Sequence, residues 1–371
     1  MAKSILVLYA NSGFHGHKAI AENYANLLKD KGYRVNIADV YDIDRNLIVK
    51  LGLSCYFLVL RRTPWLWRWL YNYWIFIPGV EWFRTSLLPC VFPVSRNLIT
   101  AANAEIVITT HPVSTSIVNY LISRGRVRTI LFTTFSDWHT QEFWIFPFVD
   151  KYLVPSKLHR DELIQRGYKD EQVIVTGMLL ANEYYQAPTK EEARLLLSLP
   201  NDTPVILVMG GGKGWAIEKI AAALAKVRMD AQIILIGSSE VRKTEILRDL
   251  VANNWQERFE VTGFVEPSLY FAAADLLISK PGGLTTAQAF LLKLPVIPAF
   301  PLPGHEDENL KVLMNSKATL PLLGHNACAN DLLRILRHKK RLEQVTSAAY
   351  SLSPAHTPEK IVDLVRSELC T

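Results

Sequence analysis

The feature that most constrains this chain is a local pattern that recurs in two series: a short apolar run, a glycine-bearing turn, then a stretch with helical periodicity. Residues 5–9 are the first apolar run, a Gly/Asn/Ser-rich turn occupies 11–16, and 17–31 reads as an amphipathic helix closed by Gly32. Residues 33–40 then read as a second strand. Strand, loop, helix, strand is the grammar of a parallel sheet, and it returns around 106–109, 128–134 and 152–154. After the polar, Pro-containing stretch 182–190, a second series of short runs follows at 205–209, 233–236, 259–261, 276–278 and 296–297. Each series predicts its own doubly wound α/β sheet. A length of 371 residues exceeds what one hydrophobic core usually serves, so two Rossmann-like domains with a cleft between them are expected. We place them at 1–185 and 186–356, with a last helix over 357–371 packing back on the first domain.

Composition narrows the class of partner. With 49% hydrophobic and 20% charged residues the chain is too apolar to be disordered. Its net charge of +6, from 41 basic against 35 acidic residues, suits anionic lipid or a phosphorylated substrate. No zinc-finger, RNA-recognition or basic-arm pattern accompanies that charge, so nucleic acid is not an expected partner. Cys55, Cys90, Cys328 and Cys370 are scattered without a CxxC pair, which suits a reducing cytoplasm. The first residues run directly into a strand pattern, leaving no room for a signal peptide, so a protein that is not secreted is expected.

One stretch breaks the α/β pattern. Residues 51–93 hold Trp65, Trp67, Trp69, Trp74 and Trp82, five of the nine tryptophans, among further Tyr and Phe residues. Its longest uncharged run, 69–80, has 12 residues, whereas a spanning helix needs about 20. Clustered aromatics beside Arg61, Arg62, Arg68 and Arg84 are instead the composition of an interfacial segment, with rings at headgroup depth and arginines at phosphate. A buried helical insert or a subunit contact are the other readings of the same residues.

The chemistry should sit in the glycine turns. Ser279 to Gln288 reads SKPGGLTTAQ, follows the strand 276–278 and opens a helix; Gly282 and Gly283 allow close backbone approach, and the helix start favours an anion such as a diphosphate. A second loop, MGGGKG over 209–214, lies at the carboxyl edge of the same expected sheet, where α/β folds bind ligands. A third, NSGFHGH over 11–17, lies in the other half. None has the spacing of a Walker loop or a dinucleotide fingerprint. The pairs His15/His17 and Asp42/Asp44 mimic metal-binding HxH and DxD motifs, but Asp42 to Asp44 follows the second strand and reads better as a helix cap.

Taken in order, the N-terminal Gly-His loop, His111-Pro112, Ser136-Asp137, Val154-Pro155-Ser156, the loop 209–214, Gly263-Phe264-Val265, Lys280-Pro281-Gly282-Gly283 and the run PGHEDEN over 303–309 resemble the diacylglycerol glycosyltransferases. These are the monogalactosyldiacylglycerol synthases and processive diacylglycerol glucosyltransferases of glycosyltransferase family 28. The resemblance spans nearly the whole chain. It implies a GT-B fold, two facing Rossmann-like domains with the donor held mainly by the second and the lipid acceptor by the first. It also implies transfer of a hexose from a UDP-sugar to diacylglycerol or a related lipid, with inversion and without a catalytic metal or other cofactor. A peripheral position on the cytoplasmic face of a membrane follows from the same resemblance and the aromatic insert.

Carried over residue by residue, the resemblance puts Gly282, Gly283 and Thr285 at the phosphates, with Gly211 and Gly212 in the facing loop. Phe264 and Val265 fall beside the base and Gln288 at the ribose. His305, Glu306 and Asn309 fall in the sugar-contacting run. Trp65, Trp67, Trp69, Trp74, Arg61 and Arg62 form the acceptor and membrane segment. His17 and Asp137 are the candidates for the base that takes the acceptor proton, and a histidine of ordinary pKa suits that task at cytoplasmic pH. The chain departs from the family at three points: one extra residue near His15, Gln288 where a glutamate is usual, and His305 where a glutamine is usual. Transfer of polyprenyl-linked sugars, UDP-sugar epimerisation and non-catalytic lipid or nucleotide binding are the competing functions.

Overall fold

The computed structural model describes residues 3–11, 15–73, 77–226, 230–254, 258–321, 335, 338–353 and 356–370. By their contacts these residues form two units, one of Met1–Ala181 with Pro303–His305 and Pro354–Thr371, the other of Asn182–Leu302 with Glu306–Ser353.

Among its described residues the first unit holds a sheet of β1 (Ser4–Tyr9), β2 (Arg34–Asp39), β3 (Ile106–Thr109), β4 (Ile130–Thr134), β5 (Lys151–Val154) and β6 (Val173–Val175). The order is β2-β1-β3-β4-β5-β6 and every neighbouring pair is parallel. All four residues of β3, Ile-Val-Ile-Thr, are buried, as a strand covered by helices on both faces requires. Strand β6 was not anticipated, because three residues at a sheet edge are too few to show a period. Likewise β4 begins at Ile130 rather than at residue 128. The order reverses between β1 and β3, the kind of position at which α/β sheets bind ligands beyond the carboxyl ends of the strands.

Helices cover the sheet where apolar side chains recur at helical spacing. Gly16–Asp30 buries Ile20, Ala21, Tyr24, Ala25 and Leu28. It ends where Gly32 takes φ +84°, a left-handed conformation that a side chain would disfavour. The last helix, Thr357–Cys370, buries Ile361, Val365 and Leu369 within the first unit. Its Thr357 hydroxyl donates to the Thr176 carbonyl at 2.6 Å, and Glu368 pairs with Lys151 at 3.0 Å.

The aromatic insert is helical. Helices Leu47–Arg62 and Pro64–Tyr73 are followed, after residues 74–76, by Val80–Trp82, a π-helical turn Phe83–Leu87, a 3-10 turn Leu88–Val91 and the helix Pro93–Ala102. Asp44 ends the motif-like Asp42/Asp44 pair as a cap: its two carboxylate oxygens accept from the Val94 and Ser95 amides at 2.9 and 2.7 Å, while Asp42 pairs with Arg45. Among the described residues no helix is long and apolar enough to cross a membrane.

The second unit is a sheet of β7 (Val205–Met209), β8 (Gln232–Ile236), β9 (Phe259–Val261), β10 (Leu276–Ser279) and β11 (Val296–Pro298). Its described strands run in the order β11-β10-β7-β8-β9, all parallel. Here the reversal falls between β7 and β10. Those two strands carry the glycine loops at their carboxyl ends, so topology alone brings together two motifs about seventy residues apart.

Candidate active site

In the second unit the two glycine loops touch. Gly211 and Gly214 take φ +67° and +61°, and a Cβ on Gly210 would lie 2.5 Å from backbone atoms of Gly214 and Trp215. Only glycine fits a turn folded so closely on itself. A Cβ on Gly211 would meet Lys280 Cε at 2.8 Å, and one on Gly282 would lie 3.2 Å from Lys280 Nζ. The Lys280 ammonium therefore sits between the loop after β7 and the loop after β10. Its ion-pair partner is Glu306, a fully buried carboxylate whose second oxygen accepts from the Leu302 amide at 2.7 Å. Asn309, also fully buried, donates from Nδ2 to the Pro281 carbonyl at 3.2 Å.

The helix Gly283–Leu291 opens at this turn with Gly282 in the N-cap position, where no side chain caps it. Its first-turn amides have no partner within the helix, and the helix dipole adds partial positive charge beside the ammonium. The Thr286 hydroxyl turns back to the Gly282 and Gly283 carbonyls at 2.8 and 3.0 Å. The result is a turn that joins an ammonium to backbone donors at a helix start, chemistry suited to a diphosphate.

In the first unit the reversal between β1 and β3 gathers histidines. His17, in the first turn of Gly16–Asp30, places Nδ1 2.5 Å from the Thr110 carbonyl at the end of β3. A carbonyl only accepts, so Nδ1 carries the hydrogen and Nε2 carries the lone pair. The Thr110 hydroxyl donates back to the His17 carbonyl at 3.0 Å. His111 meets the His17 ring edge-on at 4.6 Å, and its Nδ1 accepts from the Val113 amide at 3.1 Å, capping Pro112–Ser123. Ser136 Oγ lies 3.4 Å from His17 Nδ1, and Trp144 stands 6.0 Å from the same ring.

Electrostatics keep this cluster neutral. Burial lowers the pKa of His17, against an opposing pull from the Asp137 carboxylate. Burial and the neighbouring His17 push His111 well below the usual range. His159, which lies against the Asp137 carbonyl, is also buried, and the loss of hydration pushes its pKa down to about 3. A neutral imidazole with a lone pair on Nε2 is a general base over the whole neutral range.

These depressed values carry a stability prediction. Between pH 6.5, the ordinary value, and about 3, the unfolded chain takes up a proton on His159 that the folded chain refuses. Stability from this group is complete above pH 6.5 and falls as pH drops, by about 1.4 kcal/mol per pH unit. His17 and His111 shift in the same direction and add to the slope. Urea midpoints measured from pH 7.5 to 5 are expected to fall steadily below 6.5, and a flat profile would contradict buried neutral histidines.

Comparisons with known proteins agree with this chemistry. Residues 17–179 match the family described as Monogalactosyldiacylglycerol (MGDG) synthase, and residues 205–361 match the Glycosyltransferase family 28 C-terminal domain. The chain is 24% identical over 380 aligned residues to the processive diacylglycerol beta-glucosyltransferase of Bacillus pumilus, covering 100% of this chain and 96% of that one. The chain belongs to the diacylglycerol glycosyltransferases of family 28. Among solved structures it resembles MurG of Acinetobacter baumannii, with a TM-score of 0.61 at 13% identity over 98% of this chain and 99% of that one. Anabaena HepE, solved in complex with UDP-glucose, gives a TM-score of 0.55 at 17% identity over 98% and 99%. At such identities the likeness speaks for the fold, which is GT-B.

The site residues expected of a diacylglycerol glycosyltransferase divide as follows. Gly211, Gly212, Gly282, Gly283 and Thr285 lie on the two loops and the helix start at the β7/β10 reversal. Gln288 is one turn further along that helix and half-buried, while Phe264, following β9, is 58% exposed. Glu306 and Asn309 are buried beneath the turn and brace Lys280 and Pro281. His305 groups by its contacts with the first unit, its ring 6.4 Å from Tyr71.

The Asp137 carboxylate pulls the pKa of His17 upward through space, and its chain neighbour Ser136 reaches to 3.4 Å from the His17 ring. In the insert, Trp65 and Trp69 are exposed, and so is Arg62. Trp67 turns the other way, packing 4.9 Å from Tyr56 on the inner side, since residues two apart lie on different helix faces. Trp74 lies outside the described residues, as does the side chain of Arg61. Sequence reasoning passed over Lys280 and His111 as site residues although both stand in the quoted motifs. A lysine directly before Gly-Gly at the end of a strand was the available signal.

Proposed function

We propose that this protein transfers a hexose from a UDP-sugar to the free hydroxyl of diacylglycerol at a membrane surface, inverting the anomeric carbon and using no metal. The observation that carries the reading is the Lys280 ammonium held between two glycine loops and a helix start at the reversal of the second sheet. The diphosphate binds there. His17 Nε2 removes the proton of the acceptor hydroxyl as its oxygen attacks the anomeric carbon, and the bond to UDP breaks with its electron pair on the diphosphate. Lys280 and the first-turn amides of Gly283–Leu291 neutralise that developing charge, the work a metal does elsewhere. Phe264 stacks on the uracil, and Gln288 accepts from the ribose.

The incubation that tests this supplies the protein with UDP-sugars and vesicles of diacylglycerol, or of polyprenyl-linked sugar, with and without chelator. Expected is UDP release that requires diacylglycerol and persists in chelator, with a glycosyl diacylglycerol as product. Release without lipid, or product on the polyprenyl acceptor alone, would sink the assignment.

The aromatic insert supplies the membrane contact in this reading. Leu47, Ile48, Leu51, Trp65, Trp69 and Trp82 are each at least half exposed, far more apolar surface than a water-facing element carries. Burying such side chains at the interface contributes roughly 1.5 to 3 kcal/mol each, so the double replacement Trp65→Ser, Trp69→Ser should weaken vesicle partitioning by at least about tenfold. Flotation with lipid vesicles measures it, and unchanged partitioning would place the membrane contact elsewhere.

A further inference from the structure

The helix Lys157–Gln165 begins in an unusual way. Its N-cap is Ser156, extended at φ −147° and ψ 167°, yet the serine makes no side-chain cap hydrogen bond. A serine in that position ordinarily accepts from a first-turn amide, a bond that contributes about 1 kcal/mol. Here Ser156 Oγ lies instead 3.0 Å from His159 Nδ1. The other ring nitrogen, Nε2, lies 3.1 Å from the Asp137 backbone carbonyl. Because a carbonyl only accepts, the ring hydrogen is on Nε2, and Nδ1 accepts the Ser156 hydroxyl hydrogen. Two partners thus select one tautomer of a side chain that is 1% exposed, and Phe135 holds the ring plane edge-on at 5.8 Å.

The anchored peptide is the one that reaches the base. Phe135 makes the last sheet-like bond of its strand, donating to the Leu153 carbonyl at 3.1 Å. Beyond it the chain leaves the sheet, with Ser136 Oγ 3.4 Å from His17 Nδ1 and the Asp137 carboxylate acting on the same ring. Two residues after that last bond, His159 takes hold of the backbone again. A buried phenylalanine or leucine would fill the space as well and would leave Ser156 free to cap. The loss of a local stabilising bond in favour of one aimed at the Ser136–Asp137 segment marks a functional constraint.

We propose that His159, oriented by Ser156, is a positioning residue for the transfer reaction, holding Ser136 and Asp137 in register against His17. This rests on the reading of His17 as the base. Because burial keeps the His159 ring neutral down to about pH 3, the anchor does not titrate in the working range, and its role is geometric.

The test compares His159→Gln, His159→Asn and Ser156→Ala with His17→Ala in the full-length protein, reading kcat, donor KM and melting temperature. A glutamine amide reaches the place of Nε2 and can donate to the Asp137 carbonyl, whereas an asparagine amide reaches only the place of Nδ1. Since a displacement of about 1 Å at a reacting group can cost about 100-fold, H159N is expected to lower kcat about 10- to 100-fold with donor KM unchanged. H159Q should recover most of that rate. Ser156→Ala, which removes no cap, should lower kcat by less, about threefold to tenfold on the same argument, and covers the case in which H159N does not fold. Wild-type kcat in folded H159N or in Ser156→Ala, beside an inactive His17→Ala, would overturn the positioning role alone. An active His17→Ala would remove the base reading and the positioning role together.

Discussion

Replacing Lys280 by alanine is expected to lower kcat/KM for the donor about 100- to 1000-fold, the usual cost of removing one preorganised charge from a developing oxyanion. The same change has a second effect. Glu306 is fully buried and has Lys280 as an ion-pair partner, so the single mutant takes the ammonium away from a buried carboxylate, at a cost of about 3–5 kcal/mol. The two effects separate in the double mutant Lys280→Met, Glu306→Gln, which carries neither charge and keeps a carbonyl oxygen able to accept from the Leu302 amide. Its melting temperature should return toward that of the parent while turnover and UDP affinity stay low. Recovery of both would make Lys280 a structural partner of Glu306 and nothing more.

Replacing His17 by alanine should lower kcat about 100- to 10,000-fold, the range that loss of a general base commonly costs. UDP affinity should not change, because the glycine loops and Lys280 belong to the other unit. The fall should show in kcat and kcat/KM alike, as befits an interaction made only in the transition state. In the parent, the acid limb of the rate profile should lie below pH 6.5, since burial lowers the pKa of His17 and the reactive form is the neutral one. A mutant that turns over at the parental rate would pass the proton-accepting role to Asp137, and an acid limb above 6.5 would contradict a His17 whose pKa burial lowers.

Asp137 itself shows why a side chain's place in the sequence does not define its role. Its position after β4 was legible, and so was that of His17 at a helix start, because strands, turns and helix starts are written in local residue order. What brought the Asp137 charge to bear on the His17 ring was the strand order that sets β4 two places from β1, together with the hold of His159 on the Asp137 carbonyl. Neither is a local property. In the same way the insert's composition announced exposed aromatic surface, while the inward turn of Trp67 between Trp65 and Trp69 depended on which helix face met Tyr56 and Tyr71.

Local pattern was therefore enough to establish two α/β units, the run of strands that builds each sheet apart from the short β6, and the glycine turns at strand ends. Period and turn chemistry act over a few residues, so a linear chain displays them openly. Tertiary structure alone decided that Lys280 lies between two loops about seventy residues apart, that Glu306 and Asn309 are buried braces under it, that His111 meets the ring of the proposed base, and that His159 holds the Asp137 carbonyl. Those pairings follow from strand order and from the desolvation of charges and polar groups, and burial becomes a property of a side chain only once the chain has closed around it.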